Sequence, residues 1–598
     1  MNNQTNAIGS EPGNDLPIWD LSDLYPSTDS SELERDLEKV RGESDQFSLS
    51  YKGKLAKLDP GEFGDAIQSF ENLNECLSRI MSFAQLLFSA NSEDPTVTAF
   101  YQNISERATT LSAKTLFFEL EINRLEENEV EAFMSSPTVQ RYKPWLTAVR
   151  VNKPYQLSDD VERLLHEKSV TGRSAWSRLF DETMAGLRFK LHGRELTNSE
   201  IMTRMSDAKE ANRKAASKAF AKGLEENIKL FALVTNTLAK DKEIEDTWRT
   251  LPRPVSGRNL GNQVEDDMVD ALSNAVRSAY PDLSHRYYQL KAEWMGKDVL
   301  NYWDRNAPLP EADNTRIEWS RARDTVLGSY AAFEPTFGQI AGQFFDKAWI
   351  DAAPRNGKNS GAFSHPTVPN AHPYILMNYH GKSRDVMTLA HELGHGIHQV
   401  LAAPQGHLLA NTPLTLAETA SVFGEMLTFQ SMLESAQDAP ARRVMLASKV
   451  EDMLNTVVRQ IAFYQFEERV HEERRHGELS ADRLGKIWME VQTESLGPAF
   501  RYDDEYRHFW AYIPHFIHAP FYVYAYAFGD CLVNSLYELF SRGHPQFQKK
   551  YLDMLRAGGT LRHQELLAPF GLDASDPAFW QRGLGIVSGF IDKLEKTL

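Results

Sequence analysis

The chain has 598 residues, of which 42% are hydrophobic, and a formal net charge of −18. This length can bury a large core and should form two or more domains. The acidic balance argues against nucleic acid and anionic membranes as the main partners, and no stretch has the length and apolarity of a membrane span. The two cysteines, Cys76 and Cys531, imply no disulfide framework. No signal peptide is visible in the polar N-terminus, so we expect a cytoplasmic protein.

In chain order, the sequence predicts a mainly helical protein. Residues 1–15 are polar and are predicted to form a disordered tail. Residues 30–129 have helical periodicity, and so do residues 199–246 and the long stretch 442–473. Residues 189–196 alternate around a His-Gly pair and predict a small hairpin.

Residues 374–379 have the composition of a β-strand, and the glycine-containing residues 357–363 before them indicate a flexible turn. An exposed edge strand at this place could pair with an extended peptide by β-augmentation. A core strand is an equally good interpretation of the same residues, and the sequence leaves both open.

The next helix carries a metal-binding pattern. Ser383 is a good N-cap, and Pro404 ends the helix. His391 and His395 lie one turn apart, about 6 Å along the axis, so both can reach one zinc ion at about 2.0–2.1 Å. Glu392 lies about 100° around the helix and can face a water as general base, which is the zincin arrangement. The alternative is an amphipathic helix that happens to carry two histidines.

A zinc site with two histidines needs a third protein ligand. His398 lies about 10.5 Å along the axis from His391, so we expect it in the outer shell or the core. Glu418, on a second predicted helix, is the better candidate. Glu425 shares a face with it and could orient a ligand histidine. The alternative role for Glu418 is a capping box with Thr415.

A second aromatic cluster spans residues 512–526. Tyr522, Tyr524 and Tyr526 alternate as in a strand, but Pro520 suits the first turn of a helix of about 20 residues, which we predict. Core packing with satisfied hydroxyl groups is the alternative role for these tyrosines.

Segments along nearly the whole chain resemble oligoendopeptidase F of the thimet-oligopeptidase-like zinc peptidase family. They are residues 19–25, 175–180, 357–358, 360–363, 374–376, 378–379, 388–395, 417–421, 514–516 and 521–524. The resemblance implies a mainly α protein, a multi-lobed helical zincin with a deep substrate cleft and a small β element beside the metal helix. The implied domains are an N-terminal helical lobe at 16–125, an oligopeptidase F-type linker domain at 126–198 and a catalytic zinc peptidase domain at 199–598.

The resemblance also implies site roles. It makes His391, His395 and Glu418 the ligands of one Zn²⁺ per chain, in agreement with the spacing argument. It makes Glu392 the general base that takes a proton from water and passes it to the leaving amine.

Further along the chain, His515 and Tyr524 resemble the residues that steady the tetrahedral intermediate, with Tyr522 as a further candidate. Which of Tyr522, Tyr524 and Tyr526 faces the metal stays open. Many relatives have an aromatic residue after His-Phe, where this chain has Ile517, so the local substrate subsite differs.

The predicted function is a zinc-dependent endopeptidase that hydrolyses internal bonds of short unstructured peptides, with no nucleic-acid or membrane partner. Two alternatives are a peptidyl carboxypeptidase of the same fold and an inactive helical peptide-binding protein with a structural zinc. The latter is disfavoured because structural zinc sites usually have four protein ligands. The carboxypeptidase would need a positive group that holds the substrate carboxylate, and the sequence alone does not locate one.

Overall fold

The computed structural model of the protein describes residues 16–309, 316–436 and 438–597. The predicted tail, residues 1–15, lies outside the described residues. The protein is mainly α, as predicted, with a few short strands. In the described ranges, no helix is both long and apolar enough to cross a membrane.

The helices follow in chain order. The first are α1 (Ser31–Tyr51), α2 (Pro60–Ala90), α3 (Pro95–Ala113), α4 (Phe117–Arg124), α5 (Glu127–Phe133), α6 (Pro137–Arg141), α7 (Lys143–Arg150), α8 (Asp159–Ser169), α9 (Arg173–Gly186), α10 (Asn198–Arg204), α11 (Glu210–Glu226), α12 (Ile228–Trp248), α13 (Ser256–Gly261), α14 (Asp266–Ala279) and α15 (Arg286–Trp294). The others are α16 (Trp319–Phe333), α17 (Pro335–Asp346), α18 (Ser383–Ala402), α19 (Leu414–Ala417), α20 (Thr419–Ser435), α21 (Ala439–Thr456), α22 (Val458–Arg474), α23 (Ala481–Leu496), α24 (His515–His518), α25 (Tyr524–Ser541), α26 (Phe547–Arg556), α27 (His563–Leu567) and α28 (Pro577–Glu595).

The strands are short and form three small sheets. They are β1 (Phe189–Leu191), β2 (Arg194–Leu196), β3 (Leu300–Asn301), β4 (Ile350–Asp351), β5 (Phe363–His365), β6 (Tyr374–Leu376) and β7 (Phe500–Arg501). The predicted hairpin is confirmed, because β1 and β2 pair antiparallel. His192 and Gly193 both have positive φ in its turn, at 50° and 76°, which is the backbone that a tight two-residue hairpin loop requires.

The strand predicted at residues 374–379 is a core strand, and its predicted use as an exposed edge is wrong. β6 is fully buried and lies between β4 and β5, with β4 parallel and β5 antiparallel to it. Its backbone groups are therefore already paired on both sides. The two edge strands of this sheet are β4 and β5, and the sequence analysis identified neither.

The turn at residues 357–363 is tethered rather than flexible. The fully buried ammonium of Lys358 donates to the Met377 carbonyl at 2.6 Å and to the carboxylate and carbonyl of Asp351 at 2.7 and 3.0 Å. The Asn359 N–H donates to the Ser89 carbonyl of α2 at 2.9 Å. These contacts fix the backbone that leads into the edge strand β5.

The metal helix α18 packs closely on α20 because of a glycine. A Cβ at Gly394 would lie 2.4 Å from the Ala420 carbonyl oxygen and 2.5 Å from the Ser421 Cα, distances that real side chains do not adopt. α18 spans the predicted residues, but its N-cap is Lys382 rather than Ser383. Asp385 completes this start by accepting hydrogen bonds from the Lys382 and His380 N–H groups.

Two predicted helices differ in extent from those of the structure. The stretch 442–473 forms two helices, α21 and α22, with a break between them at Val457. The helix predicted to begin at Pro520 begins instead at Tyr524, as α25. Residues 514–526, named the aromatic wall below, therefore comprise the short helix α24, an irregular segment at 519–523 and the first residues of α25. Phe521 has a φ of 59° in the left-handed region.

Candidate active site and metal centre

Three side chains from two helices meet at one point. His391 and His395 project from the same face of α18, and their rings are 4.9 Å apart. Glu418 lies at the break between α19 and α20. Its Oε2 is 3.3 Å from the His391 Nε2 and 3.5 Å from the His395 Nε2. All three side chains are 20 to 28% exposed, so solvent reaches them.

This spacing fits a small tetrahedral metal ion. Two ligand atoms of a tetrahedral zinc site with bonds of about 2.0–2.1 Å lie roughly 3.3–3.4 Å apart. The distances of 3.3 and 3.5 Å from Glu418 to the two histidines bracket this value, and the three ligand atoms lie within 4.8 Å of one another. Two imidazoles and one carboxylate are also a donor set of catalytic zinc sites, which keep a fourth position for water or substrate.

Negative charge surrounds His391. Its Nδ1 lies 3.3 Å from the Glu425 Oε2, and Lys449 donates to the other oxygen of that carboxylate at 2.6 Å. Burial lowers the pKa of His391, but the bond to Glu425 and the charges of Glu418 and Glu392 outweigh it and raise the pKa to about 9. The cluster therefore favours a cation at this place, and a metal ion would replace the proton on binding.

Glu425 takes the position of an orienting residue. Burial raises its pKa, but Lys449 and His391 together lower it to about 2. The carboxylate is thus ionised at any physiological pH and fixes the His391 ring, so that the other ring nitrogen points at Glu418. A carboxylate behind a ligand histidine sets its tautomer and increases its basicity.

Glu392 is next to His391 in sequence but points elsewhere. Its side chain is buried, and its exposed fraction is 6%. Burial raises its pKa to about 7, together with the charge of Glu418, while His391 and the backbone amide of Ser364 lower it. A carboxyl group that titrates near neutral pH is well matched to general acid–base work.

Two alternatives from the sequence can be compared with this geometry. The capping box is not formed, because the Thr415 hydroxyl donates to the Asn262 carbonyl and the Glu418 side chain caps no helix. His398 lies in the core, where burial lowers its pKa to about 4. It is not one of the three clustered residues.

The aromatic wall places a histidine and two tyrosines together. The His515 Nε2 is 3.4 Å from the Tyr526 hydroxyl, and the Tyr522 ring is 5.2 Å from the Tyr526 ring. Gly529 follows Tyr526 by one turn of α25, and its backbone faces the Glu418 side chain. Burial, Tyr522 and the Glu418 charge raise the pKa of Tyr526 to about 12, so its hydroxyl keeps its proton.

Tyr524 lies elsewhere, and this corrects its predicted position. Its ring is fully buried, and its hydroxyl accepts a hydrogen bond from the Asn262 amide at 2.9 Å. Burial holds its pKa well above the usual value. Tyr524 is two residues from Tyr526 and so points about 160° away from it on a helix. The structure brings His515, Tyr522 and Tyr526 together and leaves Tyr524 in the core.

Comparisons with known proteins agree with this site. The sequence model of peptidase family M3 matches residues 329–586, which include all three clustered side chains. The sequence model of Oligopeptidase F matches residues 121–189. The region that holds the site is therefore similar to peptidase family M3. It is 25% identical to the oligopeptidase PepF of Bacillus subtilis over 97% of this chain and 87% of that protein. It is 26% identical to an oligoendopeptidase F homolog of Lactococcus lactis over 97% of each chain.

Solved structures of similar fold cover nearly the whole chain. The oligoendopeptidase F of Enterococcus faecium has a TM-score of 0.71 and 21% identity, with 96% of this chain and 99% of that chain covered. A crystal structure from Chlamydophila abortus has a TM-score of 0.85, 21% identity and coverage of 97% and 98%. These likenesses show the mainly helical, zincin-like fold.

The structure adds residues that the sequence analysis missed. Lys449 stabilises Glu425, and Lys358 tethers the entry to β5. No local pattern indicates Lys449, because it lies 24 residues after the carboxylate that it binds. Lys358 lies inside a segment that carried the family resemblance, and a lysine in a glycine-rich turn was the available signal.

Proposed function

We propose that the protein is a zinc-dependent endopeptidase that hydrolyses internal bonds of short, unstructured peptides. The observation that carries the proposal is the cluster of His391, His395 and Glu418, with ligand atoms at tetrahedral spacing. Glu392 lies beside this cluster, outside the ligand set, with a pKa near neutrality. The match of residues 329–586 to peptidase family M3 and the similarity to oligoendopeptidase F relatives support the peptide substrate.

The proposed proton transfers use Glu392. Its carboxylate accepts a proton from the water that attacks the peptide carbonyl carbon, and it then donates that proton to the leaving nitrogen as the C–N bond breaks. The products are one free carboxylate and one amine. The chemistry that a bound zinc ion supplies at such a site is polarisation of the carbonyl and a lower pKa for the attacking water.

The aromatic wall supplies the hydrogen-bond donors for the developing oxyanion. We assign this role to Tyr526 and His515, because the two side chains are in contact and Tyr526 neighbours Glu418. Donors aimed at an oxyanion stabilise the transition state more than the substrate. Tyr522 packs against both rings, at 5.2 and 6.1 Å between centroids, and positions them.

The substrate backbone binds along the edge of β5. Phe363 and His365 face β6 in the antiparallel register, so Ala362 presents its N–H and carbonyl on the opposite side. Among the described residues, neither group of Ala362 has a hydrogen-bond partner. An extended peptide can pair with such an edge by β-augmentation.

The recessed ligands set the substrate size. Only a flexible segment can bring its backbone to side chains that are 20 to 28% exposed. We therefore expect cleavage of peptides of roughly 5–20 residues, which extend at about 3.3 Å per residue, and no cleavage of folded proteins.

The test is a digest of one short peptide, offered free and as part of a folded carrier protein. The free peptide should be cut at an internal bond, and the embedded copy should remain intact. Removal of metal with a chelator should abolish cleavage, and zinc should restore it. The Glu418→Gln variant should need much more zinc for the same activity. Equal cleavage of both substrates, or full activity after chelation, would contradict the proposal.

A further inference from the structure

A cavity of about 590 Å³ adjoins the aromatic wall on the side of Ile517 and Pro520. Most charged side chains that line it neutralise one another. Arg249 pairs with Glu162 at 2.7 Å and with Glu245 at 2.8 Å. Lys242 pairs with Asp246 at 2.8 Å. These groups therefore have little capacity left for a charged ligand.

Arg258, on α13, is different from these paired groups. It is half-buried, its Nε donates to the Pro520 carbonyl at 3.2 Å, and its guanidinium carbon lies 5.8 Å from the centre of the Tyr522 ring. Within the described ranges, no carboxylate is at ion-pair distance from it, and its two Nη groups donate to no protein atom. The two Nη groups of Arg258 are therefore free to donate a pair of hydrogen bonds to a carboxylate.

The buried acid Glu467 does not neutralise Arg258. Glu467 accepts a hydrogen bond from the Phe521 N–H at 2.8 Å, on the inner side of the aromatic wall. Burial raises the pKa of Glu467 to about 8, although that N–H and the Arg258 charge lower it. At neutral pH this carboxyl is therefore mostly protonated, and the positive charge of Arg258 is available to a ligand.

We infer that Arg258 binds the C-terminal carboxylate of the peptide substrate and so favours cleavage near a free C-terminus. Arg258 contacts Tyr522, whose ring is 5.2 Å from that of Tyr526 at the proposed oxyanion site. The path from the Arg258 guanidinium to the Tyr526 ring consists of these two steps, 5.8 and 5.2 Å. At about 3.3 Å per extended residue, that path corresponds to about three residues beyond the scissile bond. The inference rests on the proposed function and names a substrate class for it: short peptides with a free carboxylate.

The experiment compares two peptides of one sequence, one with a free C-terminal carboxylate and one with a C-terminal amide. With the wild-type protein, kcat/KM should be about 10-fold higher for the free acid, because a charge-assisted bidentate hydrogen bond at a half-exposed site contributes this much. The difference should appear mainly in KM. Mass spectrometry should place the cut about three residues from the free terminus.

Variants then assign the preference to one side chain. Arg258→Gln should remove the preference by slowing cleavage of the free acid about 10-fold more than cleavage of the amide. Arg253→Gln is the matched control, because Arg253 lies in the same segment and its guanidinium is held by Asp270 at 2.9 Å. This control should keep the preference.

Each contrary outcome has a distinct meaning. If Arg258→Gln slows both peptides equally, Arg258 only supports the aromatic wall through Pro520, and the inference is overturned. If the wild-type protein cuts both peptides with equal kcat/KM, the inference is also overturned, while the peptidase function stands. If it cuts neither peptide with zinc present, the proposed function fails and the inference fails with it.

Discussion

The two sides of the candidate site are built in different ways. On one side, His391, His395 and the neighbouring Glu392 project from the regular helix α18, and Glu418 follows within a short distance along the chain. On the other side, the aromatic wall combines the four-residue helix α24, an irregular segment at 519–523 and the start of α25 at Tyr524. Regular helix converts sequence spacing directly into direction in space, whereas irregular backbone does not. The metal side could therefore be read from the sequence, and the wall could not.

The wall is held by contacts from outside itself. Arg173 and Arg258 donate to the carbonyls of His518 and Pro520 at 2.9 and 3.2 Å. Glu467 accepts from the N–H of Phe521, whose left-handed φ is costly for a residue with a side chain. The shape of the wall thus depends on residues that are distant in sequence.

The largest expected effect lies on the metal side. Glu392→Gln should lower kcat by roughly 10²–10⁴-fold, because the amide accepts no proton from the attacking water. The zinc content should stay at the wild-type level, since Glu392 is outside the ligand cluster. Steady-state kinetics with elemental analysis on the same sample measures both. Near-normal turnover in a folded, zinc-loaded variant would remove Glu392 from the mechanism.

The next effect compares two tyrosines of the wall. Tyr526→Phe should lower kcat by roughly 10²–10³-fold with little change in KM, because an oxyanion donor acts mainly in the transition state. Tyr524→Phe should leave kcat nearly unchanged and cost about 1–3 kcal/mol of stability, since the Asn262 amide loses its buried acceptor. Kinetics and melting curves on both variants separate the roles. A larger loss of kcat for Tyr524→Phe would reverse our assignment.

A smaller effect is expected behind the metal ligands. Glu425→Gln keeps the shape of the side chain but removes the charge that orients the His391 ring. Zinc affinity should fall about 10–100-fold, as is typical for a residue that supports a ligand histidine. Competition of the variant with a chromophoric chelator measures this. An unchanged affinity would show that the ring is fixed by packing alone.

The smallest effect concerns pH and the wall. The pKa of Glu467 is about 8 in the folded protein, against a usual value of 4.5. As the pH rises, this carboxyl loses its proton in the unfolded chain before it does in the folded protein. Between pH 5 and 7 the group should therefore lower the stability of the wild-type protein by up to about 1.4 kcal/mol per pH unit. Glu467→Gln should lack this component. Melting temperatures of both proteins across this range test it, and parallel curves would show that Glu467 is ionised in the fold.

The sequence predicted the helical class, the hairpin at residues 189–196 and the positions of the metal-site side chains. These rest on local rules: helical periodicity, a His-Gly turn and the one-turn spacing of His391 and His395. It left open whether β6 is a core strand or an edge strand, and it did not predict the edge strand β5, because strand order depends on pairing between distant segments. The same holds for Lys358, whose acceptors come from β4 and from the residue that follows β6.

The tyrosines show the limit of periodicity most clearly. A strand and a helix give different faces to Tyr522, Tyr524 and Tyr526, and the structure uses neither pattern until α25 begins. Tyr524 was selected by resemblance, but the Asn262 amide binds its hydroxyl in the core. Asn262 lies 262 residues earlier in the chain. No window of the sequence that includes the tyrosines contains this partner.

The missing side chain of Gly394 has a consequence for metal selectivity. The two ligand histidines belong to α18 and the carboxylate ligand to the start of α20, so the size of the coordination sphere is set by how closely the two helices approach. At Gly394 the backbone of α18 already meets the backbone of α20, because a hypothetical Cβ there would lie 2.4 Å from the Ala420 carbonyl oxygen. This contact limits how closely the two helices can approach. The site therefore has a fixed lower bound on its radius, and it can enlarge for a bigger ion only by separating two packed helices. For the proposed metal site, we therefore expect discrimination among divalent ions to depend on helix packing as well as on ligand chemistry.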